Sequence, residues 1–235
     1  MNRSRVIGYS LFLALLLTAG CANSLTRVKR SFEEGAVSGF DAARLDGLQA
    51  DADEVAQQSG EYGAEGVAQA GLLVSYACVQ AGEIDRAETA LQRVELLVDV
   101  ASLSPSNQAL LAVVRADIDY EKALSLAMDD IDVNREAMEA HLAAAVHTYD
   151  QAGNSPVFAS EPLLRQVFAL RAADILISAG NLWRLWDTQK ADEFYVQATE
   201  TALEAIELDD ALKARLVERA LEATRLRKTL QAPES

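Results

Sequence analysis

Between residues 67 and 98 the apolar positions recur every three or four residues. Val67, Gly71, Val74, Ser75 and Cys78 share one face of a helix, and Ile84, Ala87, Leu91, Val94 and Val98 share one face of a second. That spacing is the period of an amphipathic helix. Ala81-Gly82-Glu83 interrupts the two stripes, and Gly82 suits the left-handed position that follows a helix end. Two apolar helices joined by so short a break fold antiparallel on each other.

The pattern elsewhere is also helical. Phe32 to Gln58 is polar-rich, with Phe40, Ala43, Leu48 and Val55 as apolar points. Gly60, Gly63 and Gly66 then punctuate the chain, which reads as close helix packing or a flexible lead-in. Ser104-Pro105 reads as a cap followed by proline in the first turn of a helix. Asp132 is placed to cap a helix running to Gly153, and Ser160-Glu161-Pro162 opens another running towards Gly180. Asp209 or Asp210 is placed to cap the last helix, whose stripe is Leu212, Leu216, Ala220 and Ala223.

The first 21 residues follow a different logic. Arg3 and Arg5 precede an apolar run from Val6 to Leu17, and Leu17-Thr18-Ala19-Gly20-Cys21 closes it with small residues. This is the three-part layout of a secretory signal peptide, its apolar run short of the ~20 residues that a spanning helix needs. Leu-Thr-Ala-Gly-Cys resembles the lipobox of bacterial lipoproteins, with Thr18 where leucine is usual. The resemblance implies that Cys21 becomes the lipid-modified N-terminus, bearing a diacylglyceryl thioether and a third acyl chain. Two or more chains hold a protein durably on a membrane. Ala22 follows the cysteine, which in similar lipoproteins implies the outer membrane, facing the periplasm, or the cell membrane where no outer membrane exists.

Ala-Gly-Glu-Ile-Asp-Arg-Ala, residues 81–87, resembles the turn of a tetratricopeptide repeat. Ser75 and Ala87 match the small positions where the paired helices touch, Gly82 the turn glycine, and Leu91 and Val94 the core of the second helix. Asp119-Tyr120-Glu121-Lys122-Ala123 resembles the start of another second helix, about 36 residues on, with Ile118 at the turn position; the family period is 34. Ala191, Tyr195 and Ala198 give a third match about 68 residues later, with Trp186 at the turn. The fold this implies is all-α: stacked antiparallel helical hairpins, as a repeat-like α-solenoid or a helical bundle. It forms one domain over residues 32–230, after a leader of 1–20 and a lipidated tether of 21–31, with 231–235 a frayed tail. Such lipoproteins serve secretion, transport or outer-membrane assembly machinery by binding a protein or peptide partner.

Composition agrees with helix: half the residues are hydrophobic, only 6% are aromatic, and there are four prolines. The net charge of −15 repels nucleic-acid phosphates, so no nucleic-acid partner is expected. Arg27, Lys29 and Arg30 form one small basic cluster, read as a solvated linker. With Cys21 lipidated, only Cys78 remains, so neither a disulfide nor a multi-cysteine zinc site is expected.

Catalytic chemistry is not legible in the residues. His141 and His147 lie six residues apart, about 240° around a helix, and cannot share a metal from one face. Asp130 to Asn134 resembles the opening of a calcium loop, but Arg135 and His141 stand where glycine and glutamate belong, so a helix break is the reading. Gly35 to Gly39 has its serine one place off a nucleophile elbow and no strand before it. No catalytic residue, cofactor or metal is therefore expected. Trp183, Arg184 and Trp186 hold both tryptophans and read as a partner-binding anchor, with core packing as the competing account. Two functions follow: a non-enzymatic adaptor, or a lipoprotein accessory to a transporter with a small ligand between helices near Trp183 and Trp186.

Overall fold

Asn23 accepts the backbone N–H of Thr26 at 2.9 Å and so opens the first helix, α1, Ser24–Ser38. The computed structural model describes residues 23–129 and 131–231, with side chains for all of these but 128–134 and 231. The leader, Cys21 and residues 232–235 lie outside the described residues, as does Asp130 of the calcium-like stretch. After α1 come α2 (Ala42–Gln57), α3 (Ser59–Gln80), α4 (Ile84–Leu97), α5 (Pro105–Asp129), α6 (Ile131–Asn154), α7 (Pro162–Trp183), α8 (Thr188–Ala205) and α9 (Lys213–Gln231). Short 3-10 turns stand at Val100–Ser102 and Pro156–Phe158. No strand occurs among the described residues, and none of their helices is long and apolar enough to cross a membrane.

The fold is all-α, built of stacked antiparallel hairpins: α1/α2, α3/α4, α5/α6 and α7/α8, with α9 added at the end. Each helix packs on the next, and the first helices of successive hairpins also touch: α1 on α3, α3 on α5, α7 on α9. The α3/α4 pair meets as the small positions require. Ser75 Oγ donates to the Ala87 carbonyl at 2.7 Å inside the interface. A Cβ on Gly71 would overlap Val94 Cγ2, so only glycine lets the helices come this close. Gly82 has φ 78° in the turn, the left-handed value its position calls for. The α7/α8 pair repeats the device: a Cβ on Gly180 would stand 2.5 Å from the Tyr195 ring.

Three expectations are corrected. The tether expected over 21–31 is helical from Ser24, with Val28 and Phe32 buried against the body. Of its basic cluster, Lys29 and Arg30 are exposed on α1, while Arg27 is tied to α2 by Asp51 at 2.8 Å and by Glu54. Second, residues 32–58 are two helices; Gly39 at φ 96° turns the chain, and Asp41 caps α2 by accepting the Arg44 N–H at 2.8 Å. Third, no turn falls at Ile118. Helix α5 runs unbroken through Asp119 to Ala123, because no glycine or proline stands there to stop it and Asp117 is drawn into the core by Arg171 and Tyr149. Turns fall at 39–41, 81–83 and 184–187, and the α5/α6 and α7/α8 hairpins, 105–154 and 162–205, are longer than a 34-residue repeat.

A solenoid repeat touches only its neighbours. Here two contacts close the coil on itself. Tyr76 of α3 meets Phe168 of α7 edge-on at 5.9 Å, and Arg215 of α9 donates to the Ala36 carbonyl of α1 at 2.6 Å. Phe32, Tyr76, Phe168 and Phe158 thus form a chain of rings across the centre, each contact adding about 0.5–1.5 kcal/mol beyond its burial. Helix α3 from Gly66 onward and helix α7 from Gln166 onward are buried on most faces, which is where helices apolar on every face belong.

Two polar devices brace this core. Asp117 of α5, wholly buried, is held bidentately by Arg171 of α7 at 2.7 and 3.1 Å. It also accepts the Tyr149 hydroxyl of α6, while Arg171 reaches Glu121. Burial opposes the Arg171 charge, but Asp117 and Glu121 outweigh it and hold the guanidinium further above its ordinary value. Buried Gln166 bridges the last connection. Its amide donates to the Ala205 carbonyl at 2.9 Å and to that of Asp209, and its oxygen accepts the Leu212 N–H at 3.3 Å. Asp209 does not cap α9; it accepts the Ala211 N–H within the preceding loop. The expected stripe of Leu212, Leu216, Ala220 and Ala223 is buried.

Candidate partner-binding site

The three residues read as an anchor part company at the end of α7. Trp183 is 2% exposed and meets Phe194 edge-on at 5.9 Å, so it belongs to the core. Trp186 is 41% exposed, and with exposed Arg184 and Leu185 it forms the α7–α8 turn. Asp187 then caps α8 by accepting the Lys190 N–H at 3.0 Å. That cap sets the helix rotation, and Lys190 Nζ lands 5.2 Å over the Trp183 ring and 2.6 Å from Glu139 of α6. A cation over a tryptophan face is an attractive pairing.

Below that bridge a groove runs between α6 and α8 with α7 as its floor. Its upper section encloses about 610 Å³ and its lower section about 110 Å³. Val146, Asp150, Thr201 and Glu204 line both, so the two are continuous. The floor is apolar and small, from Leu176, Ala172 and Ala169 of α7, with Leu142 and Phe194 at the sides. The walls are acidic: exposed Asp150 on α6, and exposed Glu200 and Glu204 on α8. Asp150 accepts the Asn154 amide at 2.9 Å, a neutral partner. Arg165 at the lower end is turned onto the Gly153 carbonyl at 2.6 Å. Tyr149, at the lower floor, is pushed well above its ordinary value, first by burial and then by Asp117, so its phenol stays neutral.

A second depression of about 350 Å³ lies where α1, α3 and α5 meet the start of α7. Phe32, Leu73, Leu110 and Phe158 make its apolar wall, and Lys29, Glu33 and Ser160 edge it. Beside it Glu65 accepts the Ser104 hydroxyl and the Asn107 amide at 2.7 and 2.6 Å, tying the start of α5 to α3. Burial works against that carboxylate's charge, but these donors outweigh it and hold Glu65 below its ordinary range.

Ser38 and His147 are engaged by neighbouring groups and Cys78 is buried. Ser38 donates to the Glu34 carbonyl at 2.7 Å and accepts from Arg44. His147 is paired with the Gln151 amide at 2.9 Å. Cys78 is buried, and its thiol is pushed up to about 11, chiefly by that burial. Among the described residues no three His, Cys, Asp or Glu side chains converge as metal ligands do. None of Trp183, Arg184 and Trp186 lines the groove; only Phe194 and Lys190, which pack on Trp183, reach it. The acidic residues at 150, 200 and 204 are separated along the chain and come together only through the packing of α6 and α8 on α7. Compared with known proteins, the chain matches no family model, no curated sequence and no solved structure.

Proposed function

We propose that the chain is a lipid-anchored, non-enzymatic adaptor of the bacterial cell envelope that holds a protein or peptide partner. The lipobox-like Leu17-Thr18-Ala19-Gly20-Cys21 supports the anchor, on the outer membrane and facing the periplasm. The observation that carries the binding role is the α6–α8 groove, apolar along its floor and open along its length. Secretion, transport or outer-membrane assembly machinery is the class of partner that the lipoprotein resemblance favours.

A photo-crosslinking residue at Gln197, on the α8 wall, tests the role in cells that express the full chain. A defined protein adduct is expected there and not from Gln92 on α4. The same bands from both positions, or none from either, would refute the reading. For the anchor, Cys21→Ser is expected to abolish palmitate labelling and membrane retention.

A second reading, a ligand-binding lipoprotein accessory to a transporter, finds its support away from Trp183 and Trp186, in the 350 Å³ depression that neither lines, whose apolar wall and few polar edges suit a small molecule. A small molecule retained by the purified chain in native mass spectrometry would favour it.

A further inference from the structure

The groove between α6 and α8 has the proportions of a missing helix. From Glu139 to Asp150 along α6, at 1.5 Å per residue, is about 17 Å, and from Lys190 to Glu204 along α8 about 21 Å. That length takes a helix of about 11–14 residues. Small side chains line the place where such a helix would rest: Ala143 on α6, and Ala169 and Ala172 on α7. Small residues let a helix backbone approach closely, and Leu142, Leu176 and Phe194 would then meet its apolar side chains.

The walls fix the sign of the occupant. Asp150, Glu200 and Glu204 are exposed along the groove, and no ion pair joins them to a cation among the described residues. The one lysine on the walls, Lys190, is already engaged by Glu139 and the Trp183 ring. His147 is held by Gln151, and Arg165 by a backbone carbonyl. A helix docked here therefore gains from Lys or Arg on both flanks of its apolar stripe, and one bearing Glu or Asp is repelled. The chain's net charge of −15 adds long-range attraction of the same sign.

We propose that the α6–α8 groove receives a cationic amphipathic helix of another protein, its apolar stripe on α7 and its Lys and Arg residues against Asp150, Glu200 and Glu204. This rests on the adaptor reading and names the chemistry of its partner. It is helix-in-groove recognition, with anchors at the i, i+3, i+4, i+7 spacing.

The test uses the full chain in phosphatidylcholine nanodiscs, with empty discs as baseline. The probe is a fluorescent, Trp-free synthetic helix with a Leu/Ala stripe and Lys/Arg flanks; the control has the same stripe and Glu flanks. Saturable binding of the cationic probe alone is expected, weakening as salt rises. Glu200→Lys with Glu204→Lys, both exposed positions, is expected to weaken it about tenfold. Ala143→Trp, filling the groove from an exposed position, should abolish it. Equal binding of the Glu-flanked probe, no binding, or binding that survives both variants would overturn the proposal. If the cationic probe fails while the crosslinker at Gln197 still captures a protein, the proposed occupant is wrong and the adaptor reading stands. If both fail, both fall.

Discussion

Replacing Arg171 with methionine keeps most of the side chain's length and removes only the charge that faces Asp117. The carboxylate of Asp117 is wholly buried, and after Tyr149 its remaining partner is Arg171. Taking away one member of a buried pair leaves an uncompensated charge, at a cost of about 3–5 kcal/mol. A domain of this size has roughly 5–15 kcal/mol in all. At about 2–4 °C per kcal/mol, the melting midpoint should fall by about 6–20 °C. Adding Asp117→Leu and Tyr149→Phe removes the stranded polar groups and should restore most of the loss, since buried pairs are often no more stabilising than apolar groups of similar shape. Urea unfolding followed by circular dichroism at pH 7 measures each variant against its parent. A loss under about 1 kcal/mol would mean that Asp117 is not the buried, Arg-dependent charge described above.

Gln166→Leu should cost about 2–4 kcal/mol by stranding two carbonyls and the Leu212 N–H. The loss should be read first in faster hydrogen exchange of α9, whose start these bonds fix. Cys78, buried with its thiol pushed up to about 11, should resist alkylation at pH 8 and react at the rate of unfolding. By the same shift the group favours folding below pH ~9 and loses that contribution between ~9 and about 11, where the unfolded chain ionises first. Rapid labelling of the folded chain at pH 8 would contradict both statements.

What the residues made legible was local. The stripe from Val67 to Cys78, the turn at Gly82 and the contact of Ser75 with Ala87 need only a helical period and small side chains, and all are present in the fold. The Ala123 match misled because it rested on residue types without a breaker. Tyr120 and Ala123 are buried in mid-helix for packing reasons, not because a second helix starts there. The turn at Gly39 had a readable signal, a glycine two places before a capping Asp41, but the polar helices on each side offered no break in period to mark it. Asp117, Gln166 and Arg171 were not legible at all. Each is a polar residue in a helix, and only the partners 32 to 54 positions away turn it from a surface residue into a brace.

Closure of the coil changes where a partner can sit. In an open stack of hairpins the first helices line a concave face, and a peptide would lie on it. Here Tyr76 against Phe168 and Arg215 against Ala36 draw the two ends together, and the rings of Phe32, Tyr76, Phe168 and Phe158 occupy that space beside the 350 Å³ depression. The larger groove lies instead between the second helices α6 and α8, because α7, turned inward to meet α3, leaves its small residues as a floor between them. The proposed anchor has a matching consequence. Cys21 stands three positions before Ser24, at most about 10 Å, and α1 is fixed by the Asn23 cap, by the pairing of Arg27 with Asp51 of α2, and by Tyr62, whose hydroxyl accepts the Ser24 N–H at 3.1 Å. Lipid on Cys21 would therefore hold the body against the membrane in a restricted orientation, where a long tether would let it roam. A partner reaching the α6–α8 groove would then have to be at that membrane itself.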